Sequence, residues 1–161
     1  MVRETVGAIL ILLVALVAVR IYYSVRKRRK SQEDHLARPK QDAITNPLFS
    51  CLYVATVFSD RPLDRVWAYG LGGRGRAQVG TNNNHLVIAR TGETSIAIPF
   101  MDVIRVFRGG ATIDRGVERA GLIQILWKLG GIELITSFRV ISEPEKNYKT
   151  LKELVGDHDE K

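Results

Sequence analysis

The chain has 161 residues, enough for about one domain, and its 24 basic residues against 17 acidic ones give a formal net charge of +7. Residues 1–30 contain seven of the basic residues and one of the acidic ones, so the rest of the chain is nearly neutral, with 17 basic and 16 acidic residues. That balance argues against a nucleic-acid-binding domain. The single cysteine, Cys51, excludes an internal disulfide and a metal site built from several cysteines.

Residues 5–25 form an apolar segment, TVGAILILLVALVAVRIYYSV. As a helix it would extend about 31 Å, close to the thickness of the hydrocarbon core of a bilayer. Arg20 lies in the last third, where its side chain can reach the headgroups, and Tyr22 and Tyr23 are typical of a membrane interface. A cleaved signal peptide would instead have a basic start, a shorter apolar run and a cleavage site between small residues. The pattern therefore predicts a retained single-span anchor.

Five consecutive cations follow the apolar segment, and we call them the basic collar: Arg26, Lys27, Arg28, Arg29 and Lys30. Because cytoplasmic flanks are enriched in lysine and arginine, the collar predicts a cell-membrane protein with a short N-terminus outside and residue 26 onward in the cytoplasm. Cations at a membrane surface attract anionic lipids, so the collar residues are candidate lipid-binding residues. No aromatic residues interleave with them, so nucleic acid is not an expected partner.

Residues 31–47 are polar, mixed in charge and interrupted by Pro39 and Pro47, which predicts a linker before a folded domain at 48–156. Within this domain, apolar residues alternate with polar ones between turn signals, as in a half-buried antiparallel sheet. The predicted strands are 50–58, 76–81, 86–90, 94–100, 103–107, 121–129 and 132–140.

The pattern becomes helical after the last strand. Ser142 and Glu145 have the spacing of a capping box, and apolar residues then recur at helical spacing through 155. This predicts an amphipathic helix that covers the open end of the sheet, followed by a polar tail at 157–161. A weaker helical pattern lies at 63–69.

Six or seven antiparallel strands followed by one amphipathic helix resemble a bacterial pleckstrin-homology-like (PH-like) domain. The resemblance is carried by the hairpins within 81–100, the closing hairpin ILWKLGGIELITSFRV at 125–140 and the C-terminal helix. With the N-terminal span, the segments YVAT, PLDRV and GRGRA further resemble small actinobacterial single-pass membrane proteins that carry such a domain. The resemblance implies a mainly β fold, an antiparallel barrel or sandwich capped by the C-terminal helix.

Residues 70–75 match the string G-x-G-x-x-G, but a strand-like run follows them, whereas a dinucleotide site requires a helix there. The amides of a glycine-rich loop can still bind an anion. The PH-like resemblance implies a headgroup site formed by basic residues near the open end of the barrel. Arg74 and Arg76 are therefore candidate lipid- or anion-binding residues.

The remaining chemistry-bearing residues form no recognisable site. His35, His85 and His158 are far apart, no cluster has the spacing of metal ligands, and no nucleophile stands in a catalytic context. We therefore expect no metal, no cofactor and no enzyme activity. Cys51 on its predicted strand is expected to be a small core residue.

These observations favour a non-enzymatic, membrane-anchored cytoplasmic interaction module that acts as a scaffold or adaptor. A protein partner would bind at the open end of the barrel or by strand addition at an exposed edge. Two alternatives remain open. One is recognition of anionic lipid headgroups through the collar, Arg74 and Arg76. The other is a role as an accessory subunit of a transport or export system, a label that similar proteins sometimes carry.

Overall fold

The N-terminal half of the first helix stands clear of a single β-rich domain. The computed structural model describes residues 2–109 and 121–156, in which helix α1 covers Val2–Glu33 and helix α2 covers Pro144–Val155. The seven strands are β1 Asn46–Phe58, β2 Gly75–Asn82, β3 His85–Arg90, β4 Ile96–Pro99, β5 Val103–Gly109, β6 Leu122–Leu129 and β7 Ile132–Arg139. The predicted order of apolar helix, antiparallel sheet and C-terminal helix is confirmed; the predicted tail at 157–161 lies outside the described residues.

Helix α1 carries the apolar segment and then the collar without a break. Its part from Ile9 to Glu33 contains a window that is apolar enough and long enough to cross a membrane, with a mean hydropathy of 2.0. The large apolar side chains between Ile9 and Val25 are 49–71% exposed, so the domain does not cover them. A surface of this kind is unfavourable in water and suits the interior of a bilayer.

The strands form one antiparallel sheet in the order β4-β3-β2-β1-β7-β6-β5. Strand β1 is the centre of this sheet: its first part pairs with β2 and its second part with β7, and the register shifts between Tyr53 and Ala55. An irregularity of this kind bends a strand and increases its twist, which lets the sheet curve around one core. Tight two-residue turns close two hairpins, and the positive φ angles of Asn83, Gly130 and Gly131 are those that such turns require.

The core cluster contains buried side chains from all seven strands. Among the apolar residues of β6 and β7, Trp127 is 1% exposed and Phe138 is fully buried. Helix α2 adds Leu151 and Val155 to the same core cluster. Cys51 is also buried there, as predicted.

Residues 31–47, predicted to be a linker, lie against the domain. Helix α1 continues to Glu33, and Leu36 is only 4% exposed. The Ala97 amide on β4 donates to the Lys40 carbonyl over 2.8 Å, and the Thr45 amide donates to the Thr81 carbonyl over 3.1 Å. This segment therefore pairs with β4 at Ala97 and with β2 at Thr81. These contacts could not be foreseen, because backbone hydrogen bonds leave no mark on side-chain composition.

Helix α2 forms as predicted, but the predicted capping box at its start, with Ser142 as the N-cap, does not. Glu143, with a left-handed φ of +48°, occupies the position before the helix, and no side chain caps the first turn. Ser142 instead accepts a hydrogen bond at its carbonyl from the Asn147 side chain. Glu145 pairs with Arg108 of β5 at 2.9 Å, so a tertiary contact replaces the local one.

Candidate functional site

The end of α1 is fixed to the domain by hydrogen bonds to the segment from Arg65 to Tyr69. The Gln32 side chain donates to the Arg65 carbonyl over 3.1 Å and accepts from the Trp67 amide over 2.6 Å. The Tyr69 hydroxyl donates to the Leu36 carbonyl over 3.0 Å. The bonds to the Arg65 and Leu36 carbonyls are partly buried, where water competes less for hydrogen bonds, whereas the bond from the Trp67 amide is exposed. The helix therefore enters the domain without a flexible joint, and we call this contact the helix junction.

The collar reaches the domain through the neighbouring loop at 59–67. Arg28 pairs with Asp64 at 2.7 Å between Nη2 and Oδ1, and Arg61 pairs with Asp60 and Asp64 at 3.2 and 3.4 Å. Arg28 and Arg61 are each 60% exposed, so these pairs contribute little stability but restrict where the loop lies. The helix predicted at 63–69 is wrong: the chain turns here, and Ala68–Gly70 forms a single 3-10 turn.

The other collar residues have different surroundings. Arg29 pairs with Glu33 one turn later at 2.9 Å, and Arg26 donates to the Tyr22 hydroxyl over 3.4 Å. Among the described residues, the side chains of Lys27 and Lys30 have no hydrogen-bond or ion-pair partner. The collar is thus partly neutralised by the chain itself and is not a uniform cationic patch.

Arg74 and Arg76 are both exposed. Arg74 lies on the glycine-rich loop, and Arg76 is the second residue of β2. A strand follows this loop, as predicted, so it lacks the helix of a dinucleotide site. Arg65 donates to the Gly72 carbonyl over 3.4 Å, which joins the glycine-rich loop to the loop that meets the collar. The Glu93 carboxylate borders the glycine-rich loop at Gly70 and Gly73. An anion bound there would therefore meet a negative charge as well as the arginines.

A cleft of about 1020 Å³ separates α1 from the domain, and we call it the α1 cleft. Its walls are one face of α1, the end of β1, the start of the 59–67 loop and the start of β7. Its lining includes Ser24, Lys27 and Arg28 from the helix and Phe58, Ile132 and Glu133 from the domain. Sequence reasoning missed this cleft because its walls come from three separate stretches of the chain. The only local sequence feature that could have indicated the cleft was a run of polar residues at helical spacing, Ser24, Ser31 and His35.

Two buried titratable groups have environments that suppress reactivity. Burial raises the pKa of the Cys51 thiol to about 12. Burial also raises the pKa of Tyr53 to about 12, although the nearby Thr56 hydroxyl and the Arg90 guanidinium act in the opposite direction. Within residues 2–109 and 121–156, no group of three or more His, Cys, Asp or Glu side chains is placed to hold a metal ion.

A family model described as "Bacterial PH domain-like" matches residues 34–155, well over half of the chain. The chain belongs to this family. The resemblance to a PH-like domain is thereby confirmed, and the antiparallel sheet with its C-terminal helix is that domain. The match begins at residue 34, where α1 ends. PH-like domains are generally non-catalytic interaction modules. No curated protein and no solved structure matches the chain.

Proposed function

We propose that this chain is a non-enzymatic, membrane-anchored interaction module, in which α1 crosses the cell membrane once and holds the PH-like domain at the cytoplasmic face. The helix junction is the observation that supports this most. Gln32 contacts the domain seven residues after Val25, the end of the apolar segment, which is about 10 Å along a helix. A domain fixed at that distance lies directly beneath the headgroups.

The orientation follows from charge. The collar adds five cations on the domain side of the apolar segment, whereas the other flank has only Arg3 and Glu4. By the positive-inside rule, the domain is then cytoplasmic and the N-terminus is outside. The likeness to actinobacterial single-pass proteins agrees with this arrangement.

Anchoring and orientation are tested on the full chain expressed in a bacterium. The chain should stay in the membrane fraction after an alkaline wash and retain its N-terminus. A reporter that is active only outside the cytoplasm should give no signal when fused after Lys161. A shortened, soluble product would show a cleaved signal sequence and contradict the anchor. A strong reporter signal would contradict the orientation.

A protein partner is proposed at the edge of β5. The segment around Lys40 runs along the outer edge of β4, but among the described strands β5 pairs with β6 alone. An unpaired strand edge offers backbone donors and acceptors to an extended peptide, which is the basis of recognition by strand addition.

Photo-crosslinking in cells tests this edge. A photoreactive amino acid replacing Arg105, which is exposed on β5, should give one adduct of defined mass. The same amino acid replacing Lys128, exposed on the neighbouring β6, is the control and should give none. Equal adducts at both positions would contradict a specific β5 interface. An adduct with a multi-span protein would favour the role in transport or export.

Recognition of anionic headgroups through Arg74, Arg76 and the collar is the second candidate. It is supported by the contact between Arg65 and Gly72, which places the glycine-rich loop beside the loop that meets the collar. A fragment covering 34–161 should float with anionic vesicles in a salt-sensitive manner and lose this on Arg74→Glu/Arg76→Glu. The control, Lys128→Glu/Lys149→Glu, has the same net charge. Equal loss in both variants would indicate attraction without a site.

A further inference from the structure

The α1 cleft lies at the depth of the lipid headgroups if α1 spans the membrane as proposed, and the inference below rests on that proposed function. Its helical wall extends from Ser24 to Gln32, and His35 and Leu36 line the cleft just beyond the end of α1. Ser24 belongs to the apolar segment, and Lys27 lies two residues after that segment ends at Val25. With a rise of about 1.5 Å per residue, the helical wall begins at the edge of the hydrocarbon and continues about 12 Å toward the cytoplasm. A bilayer lipid can therefore enter it from the side.

The charges in the cleft are balanced. Arg28 and Arg61 line it but are paired with Asp64 and Asp60. Lys27 on the helix and Glu133 on β7 are exposed, and among the described residues their side chains have no ion-pair partner. The cleft thus offers one cation and one carboxylate to a ligand. A purely anionic ligand could pair with Lys27 but would bring no positive charge to Glu133, whereas a ligand with both charges could pair with each.

The floor of the cleft is apolar. Leu36 and Phe58 are buried beneath it and Ile132 is half-buried at its side. A volume of about 1020 Å³ is at the upper end of the range for small-molecule sites and accepts a headgroup with the adjoining glycerol and first acyl carbons. An apolar floor beneath paired charges suits a molecule that is polar at one end and apolar at the other.

We propose that the α1 cleft binds a phospholipid whose headgroup carries both a phosphate and a primary ammonium group. Lys27, at the membrane end, donates to the phosphate, and Glu133 accepts from the ammonium group. Both contacts are hydrogen bonds between opposite charges. A quaternary ammonium group has no N–H to donate to Glu133, so the site distinguishes it from a primary one.

The test uses the full chain in nanodiscs with equal amounts of phosphatidylethanolamine, phosphatidylcholine and phosphatidylglycerol. Native mass spectrometry then measures which lipid the released protein retains. We expect preferential retention of phosphatidylethanolamine, reduced about threefold to tenfold by Lys27→Gln and by Glu133→Gln. The matched controls are Lys149→Gln and Glu153→Gln, an exposed lysine and an exposed carboxylate on α2, both outside the cleft. Neither should change retention.

Four results would overturn the proposal. Preferential retention of phosphatidylglycerol would show an anionic-lipid site, and equal retention of all three lipids would show no selectivity. Equal effects of the cleft variants and their controls would remove Lys27 and Glu133 from the site. A chain that fails to enter nanodiscs would overturn the proposed anchoring together with this inference, which separates that failure from the other three.

Discussion

A line of hydrogen bonds crosses the core of the domain from β6 to the start of the glycine-rich loop. The Trp127 indole donates to the Thr136 hydroxyl over 2.8 Å, and the Tyr53 hydroxyl donates to the Leu71 carbonyl over 2.7 Å. Thr56 joins the two through contacts of 2.7 and 2.6 Å with Thr136 and Tyr53. Each hydroxyl has one proton, so Thr136 donates to Thr56 and Thr56 donates to Tyr53. Every donor in the line is thereby used, so removing any member leaves a buried polar group without a partner and lowers the stability of the domain.

Replacing Thr136 by valine is predicted to lower the free energy of unfolding by about 1–3 kcal/mol, because the Trp127 N–H and the Thr56 hydroxyl lose their shared partner. Urea unfolding of the 34–161 fragment, followed by tryptophan fluorescence, measures this. Thr81→Val is the control, since Thr81 is also buried in a strand but its hydroxyl has no hydrogen bond among the described residues. Equal losses in the two variants would contradict the role of the line.

Cys51 is predicted to resist thiol reagents in the folded chain. With a pKa of about 12, roughly one thiol in ten thousand is ionised at pH 8. We expect labelling at least about a hundredfold slower than that of an exposed cysteine introduced by Gln78→Cys, and fast labelling in urea. The unfolded thiol ionises first as pH rises, so this group's contribution to stability is present below pH 9 and lost between about 9 and 12. Rapid labelling of folded protein would contradict the burial.

The strands were the most predictable elements, and the reason is their alternation of buried and exposed side chains. Strand β6 was predicted at 121–129 and covers Leu122–Leu129; β1 was predicted at 50–58 but begins at Asn46, where proline and asparagine conceal the strand pattern. The helix junction was not predictable, because Gln32 bonds to backbone groups more than 30 residues away. Of the predicted site residues, Lys27 and Arg28 line the α1 cleft, but their domain partners carried no sequence signal.

Gln32→Ala is predicted to loosen the helix junction without removing α1 from the membrane. The substitution leaves the Trp67 and Ala68 amides without their acceptor. Spin labels at Lys30→Cys and Gln78→Cys should show a broader distance distribution in this variant, measured by pulsed electron paramagnetic resonance. The control Asp34→Ala, an exposed position beside the junction, should keep the narrow distribution. An unchanged distribution in Gln32→Ala would show that other contacts hold the junction.

At the scale of the whole molecule, the position of the domain boundary is a testable question. The sequence predicts a domain that starts at 48, whereas the family match starts at 34 and Leu36 is buried in the core. A 34–161 fragment should exceed a 48–161 fragment in unfolding free energy by about 2 kcal/mol or more, the cost of removing a buried leucine. The shorter fragment should also aggregate, since it exposes the edge of β4. Urea unfolding measures the stability of the two fragments and light scattering measures their aggregation. Equal unfolding free energy and equal scattering would place the domain boundary at 48.

The continuous path from α1 into the helix junction has a rotational consequence. A rigid helix that turns about its axis turns everything attached to it, and consecutive residues of an α-helix are about 100° apart around that axis. Another membrane helix that packed on one face of Ile9–Val25 would therefore fix the rotation of the domain about the membrane normal, and with it the direction in which the edge of β5 faces. Neighbours within the bilayer would then determine which cytoplasmic partners the domain can reach.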